Sequence, residues 1–354
     1  MTSQKFRVVS HQDALRFAFD SLIKQGVSSS DAKTTAEGLV DADLCGVDTH
    51  GIQRIPIYCQ RLELGLISAN PRITVDNITP VCAHIDGDDG LGFVVATKAV
   101  EVATDRARDF GFAISGIKRS THFGMARFYI QQAVDSGFAA IVMTNASPSL
   151  PPWGSKRPIF GTSPVAIGFP NPSGKNHFLL DMAPSVAARG KIRKAMRAGE
   201  RIPEGWALDA EGRHTTDPSE AVKGVVLPIG GPKGSGIAMA LDIFSGLITG
   251  AGFAGAVGDQ LKVFDRPQNV GHFIFVLNPE IFVGPDEYKT RFLEWELSVL
   301  NAPLAEGVKR VYLPGQIETE NKKERLVRGI PYLEKDVETL NEFADKCGIS
   351  PLTC

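Results

Sequence analysis

The chain is expected to fold as an α/β protein whose sheet lies between helical ends, and three observations carry that expectation. Roughly the first 70 residues hold three amphipathic segments with helix caps, and short apolar runs alternate with helical patterns from about residue 72. Beyond about residue 285 the chain returns to helices.

The opening segment "SHQDALRFAFDSLIKQG" begins with Ser10 as N-cap and Asp13 three residues later, a capping box with the shorter acid. Leu15, Phe19 and Leu22 share one face, and Gly26 ends the helix. "SSSDAKTTAEGLVDADLCG" repeats the design, with Ser29 or Ser30 as cap, Ala32, Ala36, Leu39 and Val40 at helical spacing, and Gly46 as stop. A third helix, "PIYCQRLELG", carries Ile57, Tyr58, Arg61 and Leu62 and stops at Gly65. The polar cluster "GVDTHGIQRIP", residues 46–56, therefore lies in a helix-to-helix turn.

"ITVDNI" and "VCAHIDG" then read as strands separated by turn residues. The helix "TKAVEVATDRARDFG" precedes the strand "FAISGIK", and "GMARFYIQQAVDSG" precedes "FAAIVMTNA". Strands "PVAIGFP" and "HFLLDMA" follow, then a basic helix in "AARGKIRKAMRAG", an apolar helix after "GGPKGSG", and the strand "HFIFVLN". "GPDEYKTRFLEWELSVLN" places Pro285 in a helix first turn, and "EKDVETLNEFADKCG" is a final helix. The division expected is a helical substrate-side domain, 1–75, joined by the C-terminal helices 286–354, around an α/β domain, 76–285.

With 38 basic and 40 acidic residues, the charge balance favours neither nucleic acid nor anionic lipid, so a small-molecule partner is expected. The N-terminal residues lack the apolar core of a secretory signal, and "GIAMALDIFSGLITGAGF" is broken by Asp242 and glycines, so no membrane span is expected. The five cysteines, Cys45, Cys59, Cys82, Cys347 and Cys354, contain no C-x-x-C pair; neither a disulfide framework nor a zinc ribbon is indicated, and cytoplasm is the default compartment.

Seven histidines offer proton chemistry near neutral pH. His11, His84 and His214 read as structural or solvated, and His272 reads equally as packed or as near a site. His50 in "DTHG" and His122 in "STHFG" sit beside glycines that leave a ring free to face a cleft, or they merely cap helices. Arg54, four residues after His50, can hold a carboxylate through two parallel hydrogen bonds, or form a surface ion pair. No H-E-x-x-H, H-x-H or G-x-S-x-G occurs, so metal and serine-hydrolase readings lack a motif and no metal is expected. "PIGGPKGSG", residues 228–236, is a glycine loop before a helix, suited to an anion with Lys233 adding charge, yet it is not a P-loop and no G-x-G-x-x-G follows an early strand.

Taken together, "DLCGVDTHGIQRIPIYCQRLELGLI", "STHFGMARFYIQQAVDSGF", "TNASPSLPPWG", "GTSPVAIGFP", "LLDMAPSVAARGKI", "PIGGPKGSGIAMALDIFSGLITGAGF" and "YLPGQIETENKKERLVRGIPY" resemble, in order, the malate/L-lactate dehydrogenase family, over roughly residues 10–335. That family includes sulfolactate, ureidoglycolate and diketogulonate oxidoreductases and cyclic imino acid reductases. The resemblance implies a sulfolactate dehydrogenase-like fold, a mixed sheet with a non-Rossmann NAD(P)-binding domain, and a homodimer with its active site near the subunit interface. It implies NAD or NADP as cofactor and a small 2-oxo or 2-hydroxy carboxylic acid as substrate, with a cyclic imine carboxylate as the alternative; outside the class, a non-catalytic or metal-dependent small-molecule binder is the rival.

By the same resemblance, His50 is the proton donor, supported by Thr49 and Asp181, with His122 as the competing acid/base. Arg54 anchors the substrate carboxylate, with Thr121 and Gly124 beside it. Gly161, Thr162 and Ser163 line the nicotinamide side, while Leu180, Met182, Lys233, Gly234, Pro314, Gly315 and Gln316 hold the rest of the nucleotide. The basic residues Arg189, Lys191 and Arg193 either contact a 2′-phosphate or form an exposed helix face. Four departures from the family pattern, Thr49, Thr121, Pro184 and Ser235, bear on the substrate; Thr121 loses an amide that could reach it, and Ser235 leaves space where an aromatic is usual. Asp181 is expected to raise the His50 pKa by stabilising its imidazolium.

Overall fold

The computed structural model describes residues 5–353; Cys354 lies outside them. In chain order, β1 (Phe6–Val9), α1 (His11–Lys24) and α2 (Ser29–Cys45) lead through 3₁₀ turns at Asp48–His50 and Ile52–Arg54 into α3 (Ile55–Glu63). Ser10 caps α1 by accepting from the Asp13 N–H at 3.1 Å. The cap of α2 is Ser28, not Ser29 or Ser30: its Oγ accepts from the Asp31 N–H at 3.2 Å, which starts the helix one residue earlier.

The central elements are β2 (Thr74–Thr79), β3 (Cys82–Asp86), α4 (Gly92–Phe110), β4 (Phe112–Ser120), α5 (Arg127–Asp135), β5 (Ala139–Thr144), β6 (Val165–Phe169) and β7 (Phe178–Met182). After α6 (Arg189–Ala198), three two-residue strands, β8 (Ala207–Leu208), β9 (His214–Thr215) and β10 (Val225–Val226), form a small separate sheet with α7 (Pro218–Ala221) between β9 and β10. Then come α8 (Pro232–Asp242), continued by a π-helical stretch at Ile243–Leu247, and β11 (Val270–Leu277). The chain ends with α9 (Pro285–Leu300), α10 (Gln316–Arg328), β12 (Ile330–Leu333) and α11 (Glu334–Cys347).

The main sheet is mixed, seven-stranded, in the order β2-β3-β4-β11-β5-β6-β7. Only β3 and β4 pair in parallel, because α4 carries the chain back between them; every other neighbour is antiparallel. Alternation along β11 assigns the two faces. Ile274 and Val276 enter the core with α4 and α5, while Phe273 meets Phe244 of the π-helical stretch at 5.0 Å between ring centroids, so α8 covers the opposite face.

A second core gathers α1, α2 and α3 with β12 and α11: Phe17, Leu22, Leu39, Ile55 and Tyr58 pack with Ile330, Tyr332, Val337 and Leu340. β1 pairs antiparallel with β12, tying both ends of the chain to this unit. α9 packs elsewhere. Its Trp295 lies edge-on to Phe178 of β7, and its Glu296 accepts from Asn171 and Asn176 beyond the far edge of the sheet.

Candidate active site

Gly46, with φ of +85°, stops α2 and lets the chain reverse into the double 3₁₀ turn. Thr49 links two polar side chains of that turn, His50 and Arg54: its Oγ1 lies 2.9 Å from His50 Nδ1, and its carbonyl accepts from Arg54 Nε at 2.7 Å. No hydrogen bond occupies either Nη of Arg54 among the described residues, so a two-pronged face is left for a carboxylate.

The segment after β4 brings the second histidine to the first. The His50 and His122 rings stack with centroids 5.7 Å apart and planes 24° from parallel. His122 Nδ1 accepts from the Gly124 N–H at 3.3 Å and lies 2.7 Å from the Tyr58 hydroxyl. The Gly124 donor cannot turn away, so Nδ1 carries no hydrogen, Tyr58 donates to it, and neutral His122 holds its proton on Nε2. Burial keeps Tyr58 a phenol by raising its pKa. Gly124 itself requires φ of +75°, and a Cβ there would meet the Phe93 ring at 2.5 Å, so its role is to shape the His122 turn.

Electrostatics separate the two rings. Burial pushes His50 down to about 4, with the Arg54 charge adding to the effect. Burial drives His122 well below the ordinary histidine value, aided by Arg54, His50 and His272. Two buried, stacked imidazoles beside a guanidinium both disfavour the extra proton.

Three expectations about these residues are corrected. Asp181 makes no hydrogen bond to either histidine; its Oδ2 accepts from the Arg127 N–H at 2.8 Å at the start of α5, and burial raises its own pKa to about 6. It does not raise the His50 pKa, because desolvation of His50 prevails. Thr121 is buried, with its hydroxyl donating to the Gly90 carbonyl and accepting from the Gly92 N–H, so its only donor is used in holding the start of α4. Ser235 leaves no open space: its Oγ accepts from the Trp153 N–H at 2.8 Å, and the Trp153 ring lies 3.1 Å from where a Cβ on Gly231 would stand.

The residues expected to hold the nucleotide come from four segments that the fold places side by side. Leu179, next to Leu180 on β7, donates to the Pro314 carbonyl at 3.0 Å, and Gly315, at φ of +88°, packs so tightly on Leu179 that a Cβ would come within 2.6 Å. Gln316 opens α10 and its Oε1 accepts from the Leu313 N–H at 2.8 Å. Ile229 donates to Pro184, and Met182 pairs with Val165, just after Gly161, Thr162 and Ser163. Lys233 is exposed in the first turn of α8, inside the helix instead of before it, and Gly234 is buried against the Ile229 carbonyl.

The residues gathered here can accommodate a nicotinamide dinucleotide. Ser163 Oγ is buried without a partner, leaving a polar atom for the carboxamide side, and two successive left-handed glycines, Gly230 and Gly231, open the helix end beside Lys233 to an anion. Among the described residues, no group of three or more His, Cys, Asp and Glu side chains is placed to hold a metal ion.

Of the remaining histidines, His272 resolves to the packed reading: it is buried, bridges Thr144 and Ser120 at 2.8 Å each, and stacks on Phe123. Sequence reading missed two members of the site. Tyr58 follows Arg54 by four residues, the same spacing that places Arg54 near His50. Asp43 continues the Ala36, Leu39, Val40 spacing, so the apolar face of α2 ends on an acid.

The sequence signature described as malate/L-lactate dehydrogenase matches residues 9–341. L-sulfolactate dehydrogenase from Methanocaldococcus jannaschii is 40% identical over 321 residues, covering 90% of this chain and 91% of that protein. The solved sulfolactate dehydrogenase from the same organism superimposes with a TM-score of 0.91 over 97% of this chain and 98% of that one, at 38% identity. (2R)-3-sulfolactate dehydrogenase (NADP(+)) from Chromohalobacter salexigens is 34% identical, covering 90% and 93% of the two chains, and ureidoglycolate dehydrogenase (NAD(+)) from Escherichia coli is 32% identical, covering 92% and 93%. The chain belongs to the malate/L-lactate dehydrogenase family and is an NAD(P)-dependent oxidoreductase of 2-hydroxy acids.

Proposed function

We propose that the protein interconverts a small 2-hydroxy carboxylic acid and its 2-oxo acid, with Arg54 holding the carboxylate and His50 moving the proton. The observation that carries this reading is the shared support of both side chains on Thr49. Arg54 binds the carboxylate through its free Nη atoms. As the imidazolium, His50 donates Nδ1–H to Thr49 and keeps Nε2–H for the substrate oxygen; when neutral, it accepts the hydroxyl proton in the opposite direction. A carboxylate on Arg54 offsets the charge that depresses His50, so substrate binding itself makes the ring easier to protonate. His122, fixed as an Nε2–H donor by Tyr58 and Gly124, polarises the carbonyl without giving up its proton. The nicotinamide, when bound, supplies or accepts the hydride. Gly161, Thr162, Ser163, Leu180, Met182, Lys233, Gly234, Pro314, Gly315 and Gln316 would hold it.

We place the helical unit 1–75, joined by the C-terminal helices 286–354, on the substrate side and the α/β unit 76–285 on the nucleotide side; the packing of α1, α2 and α3 with β12 and α11 supports the first, while the contact of Trp295 with Phe178 runs from α9 to the sheet. A homodimer accounts for the apolar side chains of α8 and its continuation, where Ile237, Met239, Ile243, Phe244, Leu247 and Ile248 are all exposed in one chain. No helix among the described residues is long and apolar enough to cross a membrane, and we place the protein in the cytoplasm. The test is a panel of 2-oxo acids and cyclic imine carboxylates assayed with NADH and NADPH at 340 nm. Turnover of an oxo acid supports the reading, turnover of imines alone moves it to an imine reductase, and no turnover with no nucleotide binding rejects it.

A further inference from the structure

Asp43 is the buried acid on which the double turn rests. Its Oδ2 accepts from the Ile52 N–H at 2.9 Å, where the second 3₁₀ segment begins, and from the Tyr332 hydroxyl at 2.7 Å, which reaches in from β12. Its Oδ1 is buried without a hydrogen-bond partner and lies against Gly51, where a Cβ would come within 1.7 Å. Arg325 of α10 closes the other end, donating to the Asp43 carbonyl and, at 2.8 Å, to Asp48 at the start of the first segment. Gly51 is the joint between the two segments, one carrying His50 and the other Arg54. Its φ of −83° is open to any residue, so it is the nearness of Asp43 that requires glycine there.

We infer that Asp43 is a positioning residue: by holding Ile52 N–H and pressing on Gly51, it sets the separation and angle between the proton-moving His50 and the carboxylate-holding Arg54. The inference rests on the roles proposed above for those two residues. An amide could accept both donors through its one oxygen, but it would bury its NH2 against Gly51, where Oδ1 has no hydrogen-bond partner, so an acid suits this place better. It reaches the reacting atoms only through the turn, and an ångström of displacement there costs about 10²-fold in rate. Tyr332 extends the same support to the C-terminal strand, so the end of the chain takes part in shaping the catalytic turn.

The test compares the full-length protein with its Asp43→Asn and Tyr332→Phe variants, by kinetics and by NMR of the histidine Cε1–H signals. Asp43→Asn should lower kcat/KM for the oxo acid by about 10²-fold while leaving the KM of NAD(P)H unchanged. Tyr332→Phe, which keeps the carboxylate, should cost about tenfold. The His50 signal should move in both variants, while that of His214, on the small separate sheet, should stay. If Asp43→Asn does not fold, Tyr332→Phe alone carries the comparison. An unmoved His50 signal with normal kcat/KM overturns the inference. A moved His50 signal in a protein that turns over no 2-oxo acid supports it and rejects the proposed reaction instead.

Discussion

The turn proposed to move the proton and the segments proposed to hold the nucleotide are built in different ways. Around His50 and His122, side chains fix side chains: Thr49, Tyr58 and Asp43 each hold a particular ring nitrogen or backbone N–H. The segments proposed to hold the nucleotide are joined by backbone pairing, Leu179 with Pro314 and Ile229 with Pro184, and Lys233 lies exposed on a helix end beside them. Proton transfer demands a defined tautomer and angle, whereas a long anionic ligand is satisfied by many N–H groups acting together. Substitutions should therefore be severe in the turn and mild in the nucleotide-side segments.

The largest effect is expected for His50→Ala, which should lower kcat by roughly 10²–10⁴-fold while NAD(P)H binding, read by its fluorescence, is retained. Gly51→Ala drives a methyl into Asp43 and should cost about 1–3 kcal/mol of stability as well as most of the activity, measured by thermal unfolding and kcat/KM together. Tyr58→Phe removes the donor to His122 Nδ1 but leaves Gly124 in place, so a loss of about tenfold in kcat/KM is expected. Lys233→Ala should have the smallest effect, raising the cofactor KM a few-fold with the substrate KM unchanged. If Lys233→Ala proves as damaging as Tyr58→Phe, the contrast between the two regions fails.

Legibility in the sequence follows the same contrast. Helices announced by caps and glycine stops, such as α1 with Ser10 and α2 with Gly46, were readable, as was the alternation that makes the sheet. β1 and β12 were not: four residues each, they gain strand character only by pairing across the whole chain. α10 escaped because "QIETENKKERLVR" has no buried residue and hence no apolar stripe. At the site, the polar residues of the turn were visible as types and spacings, but the direction of their hydrogen bonds was not. Asp181 and Thr121 have the right chemistry for a site yet face α5 and α4, and Ser235 is filled in by Trp153 from a distant loop, facts that depend on packing between segments far apart in the chain.

The central claim, that His50 moves the proton, is tested most directly by the pH dependence of kcat/KM in both directions. The free protein holds His50 at about 4. Oxidation, which needs the neutral ring, should rise with pH through that region and then level off; reduction, which needs the imidazolium, should fall about tenfold per pH unit above it. Measured in parallel, His50→Ala should abolish both dependences and His122→Ala should keep them at a lower rate. Loss of the pH dependence in His122→Ala, with near-normal turnover and an unchanged profile in His50→Ala, would contradict the account and exchange the two roles.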